Sequence, residues 1–483
     1  MSALNDVFNM LSGYVWDALV YILVIVGLTI TFTSRFVQFR YFGRMFNVLR
    51  TAFHHEGGHI SSFQALMLSV AGRVGGGNIG GVAVAITLGG PGAVFWMWMI
   101  GLMGMATSFF ECSLAQLYKT AEPDGSFRGG PAYYVERGLG ANWKWLAGIF
   151  SVLLLLTFAF AFTGFQAVTV STSMEDAFGL NKYITAIVLT VALAAILFGG
   201  IQRIAAVTEF IVPIMALGYI LIAIVVIVLN IGDIPGVIAR IVTEAFAPSA
   251  AIGGGIGAAI MMGVKRGLFS NEAGLGSAPN VAAVAYVKHP CSQGTVQAFS
   301  VFIDTIIICS CTAFIILLSG VYQPGNTDVE GVVLTQNSLA DHIGGWGEAY
   351  VSVALMLFAF SSVLYNYYLG ENGIGYFSDK NPLPFTVLKV LTLVWVLYAG
   401  TQSFGDILVF SDLSMGLLAL VNLAALALLL KPMLRLLKDY DDQIKAGVAH
   451  PVFDPEKFSD LRIDKDAWVF DDDAPAAKTQ PAE

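Results

Sequence analysis

The sequence predicts an all-α polytopic membrane protein of eleven transmembrane helices, ten of them in two sets of five after one extra N-terminal helix. Three observations lead there. The chain is 56% hydrophobic and 12% charged, with a mean hydropathy of +0.73, whereas soluble domains are roughly 45–50% apolar and about 25% charged. Apolar runs near the ~20 residues that cross a bilayer recur along its length. Two of those runs are interrupted by glycines at corresponding places in the two halves, the pattern of inverted-repeat transporters.

The runs lie near Trp16–Thr33, Phe63–Leu88, Ala93–Leu117, Trp145–Thr172, Ile184–Phe198 and Ala206–Leu229. They continue near Ile252–Leu268, Phe299–Gly320, Ala349–Leu369, Val387–Ala399 and Leu413–Leu430. The first follows an amino end, MSALNDVFNM, that lacks the basic start of a cleavable signal, so it is expected to remain in the bilayer. In the second, Gly75, Gly76, Gly77, Gly80 and Gly81 crowd the middle. Each glycine costs about 1 kcal/mol of helix stability relative to alanine, so a continuous helix is not expected. Unwound backbone survives in a membrane only when buried in protein or lining a cavity. The seventh run opens with Gly253, Gly254, Gly255 and Gly257, and Gly263 and Gly267 flank Lys265-Arg266 before SNEAGLGSAP. This predicts units at 1–60 (extra helix and basic loop), 61–232 and 233–433 (the two repeats) and 434–483 (a polar tail).

Lysines and arginines fix an expected orientation. With the amino terminus outside, inner loops receive Arg35, Arg40, Arg44, Arg50, Lys119, Arg128, Arg137 and Lys144. They also receive Arg203, Lys265, Arg266, Lys288, Lys380 and Lys389, while outer loops keep only Lys182 and Arg240. The carboxyl terminus is then cytoplasmic. Beyond about Leu437 the tail turns polar and ends in DDDAPAAKTQPAE, a composition that predicts disorder.

Several residues in the spans can carry chemistry. Asn78 follows the glycine run. Its amide oxygen suits a small cation, the free amides of Gly75–Gly77 suit a carboxylate, and it can equally cap the second half-helix. Arg73 reads as the one cation in mid-span; a structural pairing with Glu111, Glu272 or Asp304 is expected ahead of contact with substrate. Ser361 and Ser362 are adjacent hydroxyls in the ninth span, able to ligate a hard cation or to pack between helices. Gln166 shares a helix face with Phe162 and has Phe165 beside it, which fits a small polar substrate under an aromatic ring or an interhelical hydrogen bond.

Other classes are excluded or disfavoured. No basic stripe serves nucleic acid. Cys112, Cys291, Cys309 and Cys311 have no metal spacing and read as small buried hydrophobes. His55-Glu56-Gly57-Gly58-His59 matches a zinc-protease pattern, but two glycines interrupt the helix it needs. Gly75–Gly80 matches G-x-G-x-x-G without a βαβ unit around it. No enzyme activity is expected.

The segments GGGNIGGVAVAI, LGGPGAVFWMW, RGGPAYYVERGLG, RGLFSNEAGLGSAP and VFIDTIIICS resemble those of the alanine or glycine:cation symporter family, and the likeness extends to about Lys431. The resemblance implies a LeuT-type five-plus-five inverted repeat in the bacterial cytoplasmic membrane and uptake of a small neutral amino acid, alanine or glycine, with Na+ as coupling ion. It implies no other cofactor. A few relatives prefer serine or glutamine, and a proton-coupled carrier is the rival. By the resemblance, Gly75, Gly76, Gly77, Phe162, Phe165, Gln166, Met262 and Gly263 contact substrate, and Asn78 serves the substrate or a second ion. The carbonyls of Ala71, Val74 and Phe358 and the hydroxyls of Ser361 and Ser362 hold sodium. Departures from the family pattern fall at Gly76 (often Thr), Met262 (often aromatic) and Ser362 (usually Thr), and the first two bear on selectivity.

Overall fold

The computed structural model describes residues 2–51, 60–123, 125–246, 255–325, 331–378 and 381–469. Among these, eight helices are long and apolar enough to cross a membrane. They are α1 (Ser2–Thr33), α4 (Gly92–Leu117), α5 (Ala141–Phe178), α7 (Gly200–Leu229), α10 (Pro290–Leu317), α12 (Trp346–Gly375), α13 (Pro382–Ala399) and α14 (Phe404–Leu428). Between them lie shorter helices: α2 (Ser62–Arg73), α3 (Val82–Gly89), α6 (Lys182–Leu197), α8 (Gly255–Asn271), α9 (Ala278–Ala282) and α11 (Val332–Ile343). The only sheet among the described residues is a two-residue hairpin pairing Thr120–Ala121 with Phe127–Arg128.

Helix α4 packs against α8, α9 and α10, and α12 packs against α2, α5, α7 and α11, forming a shared centre. Peripheral helices turn apolar side chains outward: Tyr21 and Ile25 on α1, Phe210 and Leu221 on α7, and Val394 on α13. Such a continuous apolar exterior fits lipid rather than water.

The first break is tighter than five glycines suggest. Helix α2 starts on a capping box, in which the Ser61 hydroxyl accepts from the Gln64 amide and Gln64 Oε1 accepts from the Ser61 amide, both at 3.1 Å. It ends at Arg73, and Val74 is extended at φ −83°, ψ 96°. Gly77–Gly81 then forms a π turn leading into α3, so only Val74 and Gly75 leave helical structure.

The second break lies elsewhere than its glycine run. Gly253 and Gly254 fall outside the described residues, and α8 runs through Gly257, Gly263 and Gly267 to Asn271. Packing accounts for Gly263: a Cβ there would stand 2.5 Å from Ala93 O and from Trp96 Cβ of α4. The chain leaves the helix at Glu272–Ser277, where Glu272 (φ 54°), Gly274 (φ 94°) and Gly276 (φ 80°) take left-handed backbone. Lys265 and Arg266 are therefore mid-helix and mostly buried, not in a loop, and both face Asp412 of α14, at 2.7 and 2.6 Å. Arg73 is not the sole cation within a span, and two charges leave the loop tally.

The tail is folded well past Leu437. Helix α15 (Leu430–Lys445) turns Met433, Leu436, Leu437 and Tyr440 inward. The chain beyond crosses the loops at that end of the helices. Arg40 pairs with Asp441 at 2.7 Å, Phe453 N donates to Lys288 O at 2.8 Å, and Ala121 N donates to Asp464 at 3.2 Å. Phe453 packs on Phe458 and Trp468, with centroids 5.1 and 4.7 Å away. Lys119 lies between the rings of Phe127 and Trp468 at 4.0 and 4.3 Å, and burial there pushes its pKa down to about 7. A few aromatics in a polar segment thus suffice to dock it; residues 470–483 lie outside the described residues. Phe453→Ala should cost about 3 kcal/mol of this docking. The readout is faster limited proteolysis after residue 446, and unchanged protection would contradict it.

Candidate functional site

Where α2 stops, its last carbonyls lose their intrahelical partners. The Ser362 hydroxyl of α12 lies opposite them, 2.8 Å from Ala71 O and 3.4 Å from Val74 O, and 2.9 Å from Phe358 O of its own helix. One hydroxyl proton serves only one of these three carbonyls at a time. Four oxygens therefore converge with fewer protons than acceptors, a donor set that suits a small hard cation. Of the five residues expected to ligate the ion, Ala71, Val74, Phe358 and Ser362 are brought together. Ser361 donates to Phe358 O at 2.9 Å but turns toward Met215 Sδ, 3.7 Å away, so it joins the cluster only through that carbonyl.

The next residues open the adjoining space. Gly75 N donates to Asn78 Oδ1 and Gly76 N to Gln166 Oε1, each at 2.9 Å. A Cβ at Gly75 would lie 2.6 Å from Ser362 Oγ and 2.7 Å from Gln166 Nε2. At Gly76 it would meet Phe165 at 3.0 Å, and at Gly77 it would meet Phe269 at 3.0 Å. Backbone and side chains approach here to a distance only glycine allows. Phe162 and Phe165 of α5 contact the Phe269 ring of α8 at 4.7 and 4.8 Å, and Phe165 contacts Phe404 of α14 at 5.5 Å.

Asn78 does not cap the second half-helix, whose start has no side-chain cap. Its Oδ1 braces Gly75, and its Nδ2 donates to Asp304 Oδ1 at 2.6 Å and to Ser270 Oγ at 3.0 Å. Ser270, Phe269, Phe404 and Cys309 are site residues that sequence reasoning misses. Phe269 and Ser270 sit in RGLFSNEAGLGSAP and become visible once the break is placed after Asn271. Cys309, 3.1 Å from Ser270 Oγ, carries no sequence signal.

Met262 and Gly263 are not brought to the first break. They lie about two turns before Phe269 on α8, where Met262 Cβ stands 2.8 Å from the position a Cβ on Gly89 would take, and Gly263 packs on Ala93 and Trp96.

Arg73 is buried and tied to neutral groups: Gln297 O at 3.2 Å, Ser108 Oγ at 3.0 Å and the Ser300 hydroxyl. Among the described residues no carboxylate stands within 4.0 Å of it, so the expected ion pair is replaced by hydrogen bonds, although its charge acts on Glu111, Glu272 and Asp304. Two of those acids hold the second break. Glu111 accepts from Gly274 N at 3.2 Å, and Asn422 Nδ2 bridges Glu111 and Gly274 O, both at 2.9 Å. Glu272 accepts from Ser277 at 2.6 Å and from the Tyr365 hydroxyl at 3.1 Å. The Tyr365 ring fills the space over Gly72, which links the end of α2 to the second break.

The described fold resembles that of a manganese transporter from Eremococcus coleocola, with a TM-score of 0.51 at 14% identity over 77% of this chain and 78% of that one. The sequence is 46% identical to the amino-acid carrier protein AlsT of Bacillus subtilis, over 95% of this chain and 97% of that protein. It is 45% identical to the probable sodium/glutamine symporter GlnT of the same organism, over 93% of each. A sequence profile of the sodium:alanine symporter family matches residues 1–455. With its broken helices, its buried oxygen cluster and this match, the chain belongs to the sodium:alanine symporter family.

Proposed function

We propose that this protein is a secondary active symporter that takes up a small neutral amino acid, alanine or glycine, with sodium by alternating access. The observation that carries the reading is the convergence of Ala71 O, Val74 O and Phe358 O on the Ser362 hydroxyl, directly beside the backbone amides of Gly75 and Gly76. In this reading sodium takes those oxygens, joining α2 to α12. The substrate carboxylate docks on the amides of Gly75–Gly77, displacing Gln166 Oε1 from Gly76 while Gln166 Nε2 turns to donate to it. Phe162, Phe165 and Phe269, clustered beside the break, are taken to face a short substrate side chain. Coupling follows because ion and substrate stabilise the same arrangement of the first break. Inward movement of each charge is favoured by about 2.3 kcal/mol per 100 mV.

The same reading takes eleven crossings in a LeuT-type arrangement, residues 61–232 and 233–433 as inverted repeats, and the bacterial cytoplasmic membrane as location. The amino terminus is outside and the docked tail cytoplasmic, an orientation supported by the arginines of the first basic loop, Arg40 and Arg44, lying on the tail side. Competition against labelled alanine uptake tests the substrate class. Glycine and serine are expected to compete, and lysine and glutamate are not; equal inhibition by the charged amino acids would contradict the reading. Strong inhibition by glutamine would favour the second reading, a glutamine carrier, which the similarity to GlnT supports.

A further inference from the structure

Between α1 and α2, residues 34–51 carry Arg35, Arg40, Arg44 and Arg50 and no acid. Two of these arginines are spent on the tail. Arg40 pairs with Asp441 at 2.7 Å, and Arg44 donates to Tyr440 Oη at 3.0 Å and to Ala449 O at 2.8 Å. Arg35 and Arg50 are exposed, and among the described residues neither has a carboxylate within 4.0 Å or a side-chain hydrogen bond.

The same stretch exposes a row of aromatic rings. After α1 the backbone turns left-handed at Arg35 (φ 55°) and Phe36 (φ 57°), a conformation that is costly for any residue with a Cβ and rare for a bulky one. Phe36 N, donating to Thr31 O at 2.8 Å, and Arg40 Nη2, donating to Ser34 O at 3.1 Å, hold the turn. It brings the rings of Phe32, Phe36 and Phe39 together, with successive centroids 5.2 and 6.4 Å apart, and leaves all three exposed beside Arg35. The helix Phe42–Thr51 then runs past α10, with Phe42 on Phe302 at 5.0 Å and Phe46 on Phe299 at 5.1 Å. It buries Met45 and leaves Phe46 and Arg50, one turn apart, exposed. Helix α10 has 28 residues, so it is about 42 Å long against a hydrocarbon core of about 30 Å. Phe299, about 14 Å along it from Pro290, stands near the edge of that core. The loop helix therefore lies at the membrane boundary.

We propose that Arg35 and Arg50, with the exposed rings of Phe36, Phe39 and Phe46, form a binding surface for anionic phospholipid in the leaflet on the tail side. The inference rests on the membrane placement given under the proposed function and goes beyond it. Two uncompensated guanidinium groups call for an anion, and their planar forks match phosphate oxygens. The rings beside them call for acyl chains at the interface. A free phosphate ion meets only the first demand, and a zwitterionic lipid offsets its phosphate with its own cation. A phospholipid of net negative charge meets both. Lipid seated there also steadies the loop on which Arg40 and Arg44 hold the tail.

The test titrates the detergent-purified full chain with phosphatidylglycerol or with phosphatidylcholine of the same acyl chains, and follows the lipid-bound states by native mass spectrometry. Wild type should bind phosphatidylglycerol at least about tenfold more tightly, since each arginine near anionic lipid contributes about fivefold in affinity. Arg50→Gln should weaken phosphatidylglycerol about fivefold and the double variant Arg35→Gln/Arg50→Gln about twenty-five-fold, with phosphatidylcholine unchanged. Lys445→Gln removes the same charge from the tail helix and should leave the selectivity as it is. Equal binding of the two lipids in wild type, undiminished selectivity in the double variant, or an equal loss in Lys445→Gln would overturn the surface. Displacement of the lipid by millimolar inorganic phosphate would also overturn it, as a free-anion site, and so would a dimer that covers the patch in place of lipid. Should Arg35→Gln, in the strained turn, fail to fold, Arg50→Gln alone carries the test, and unchanged phosphatidylglycerol affinity there would count against the surface. Sodium-driven alanine uptake, measured in parallel, separates the two readings. Uptake without lipid selectivity sinks the surface alone, and selectivity without uptake sinks the symport reading alone.

Discussion

Gly75→Ala is expected to lower amino-acid uptake by on the order of a hundredfold without preventing insertion or folding. The added methyl would stand 2.6 Å from Ser362 Oγ and 2.7 Å from Gln166 Nε2. Real Cβ contacts do not come that close, so at least one of the two side chains must move. Ser362 organises the proposed ion cluster and Gln166 the proposed carboxylate site, so either displacement spoils one half of the coupled pair. Displacements of about 1 Å in a preorganised site cost about a hundredfold in rate. The check is the initial uptake rate at matched membrane expression, with Gly43→Ala as control. A Cβ on Gly43 would meet nothing within 4 Å, and that variant should transport normally. Normal uptake by Gly75→Ala would contradict the placement of both sites.

Ser362→Ala should raise the half-saturating sodium concentration about tenfold while leaving the maximal rate within a few-fold of wild type. The substitution removes one of four converging oxygens and leaves Ala71 O, Val74 O and Phe358 O in place. One lost interaction with a charged partner is worth about 1.5 kcal/mol or more, and about 1.4 kcal/mol is a factor of ten in affinity. Ser362→Thr keeps the hydroxyl and should restore the wild-type value. A sodium curve indifferent to Ser362→Ala would remove this cluster from the coupling mechanism. Ser361→Ala provides the contrast, because its hydroxyl turns toward Met215 and its loss should matter less.

The parts of the fold that follow from hydropathy were legible in the chain. Each of the eight long apolar helices falls on a run expected to span the bilayer. The first break was also legible, since five glycines within seven residues cannot be read as an ordinary helix. What failed was the inference that glycines mark the break wherever they cluster. In α8 they mark close packing on α4 at Gly263, while unwinding occurs at Glu272–Ser277, where left-handed backbone is required at three residues. Misplacing that break moved Lys265 and Arg266 into a loop. It also put Met262 and Gly263, rather than Phe269 and Ser270, beside the first break.

The tail shows the complementary failure. A polar average hides Phe453, Phe458 and Trp468, whose mutual packing holds residues 446–469 against the helix ends. Arg73 shows a third kind. A buried arginine calls for an acid by charge alone, and here two serine hydroxyls and a carbonyl take that place. Partners of that sort are too common in any sequence to be chosen in advance. The convergence of carbonyls on Ser362 was recoverable only because the resemblance aligned it; composition and spacing gave two adjacent hydroxyls and nothing about which carbonyls they meet.

The most direct test of sodium-coupled transport is accumulation of labelled alanine in proteoliposomes under an inward sodium gradient, with potassium replacing sodium in the control. The account predicts that alanine rises above its external concentration only with sodium. Equal accumulation in potassium would contradict it and move the coupling to a proton and to the buried acids Glu111, Glu272 and Asp304. Simple equilibration in sodium would contradict coupling altogether.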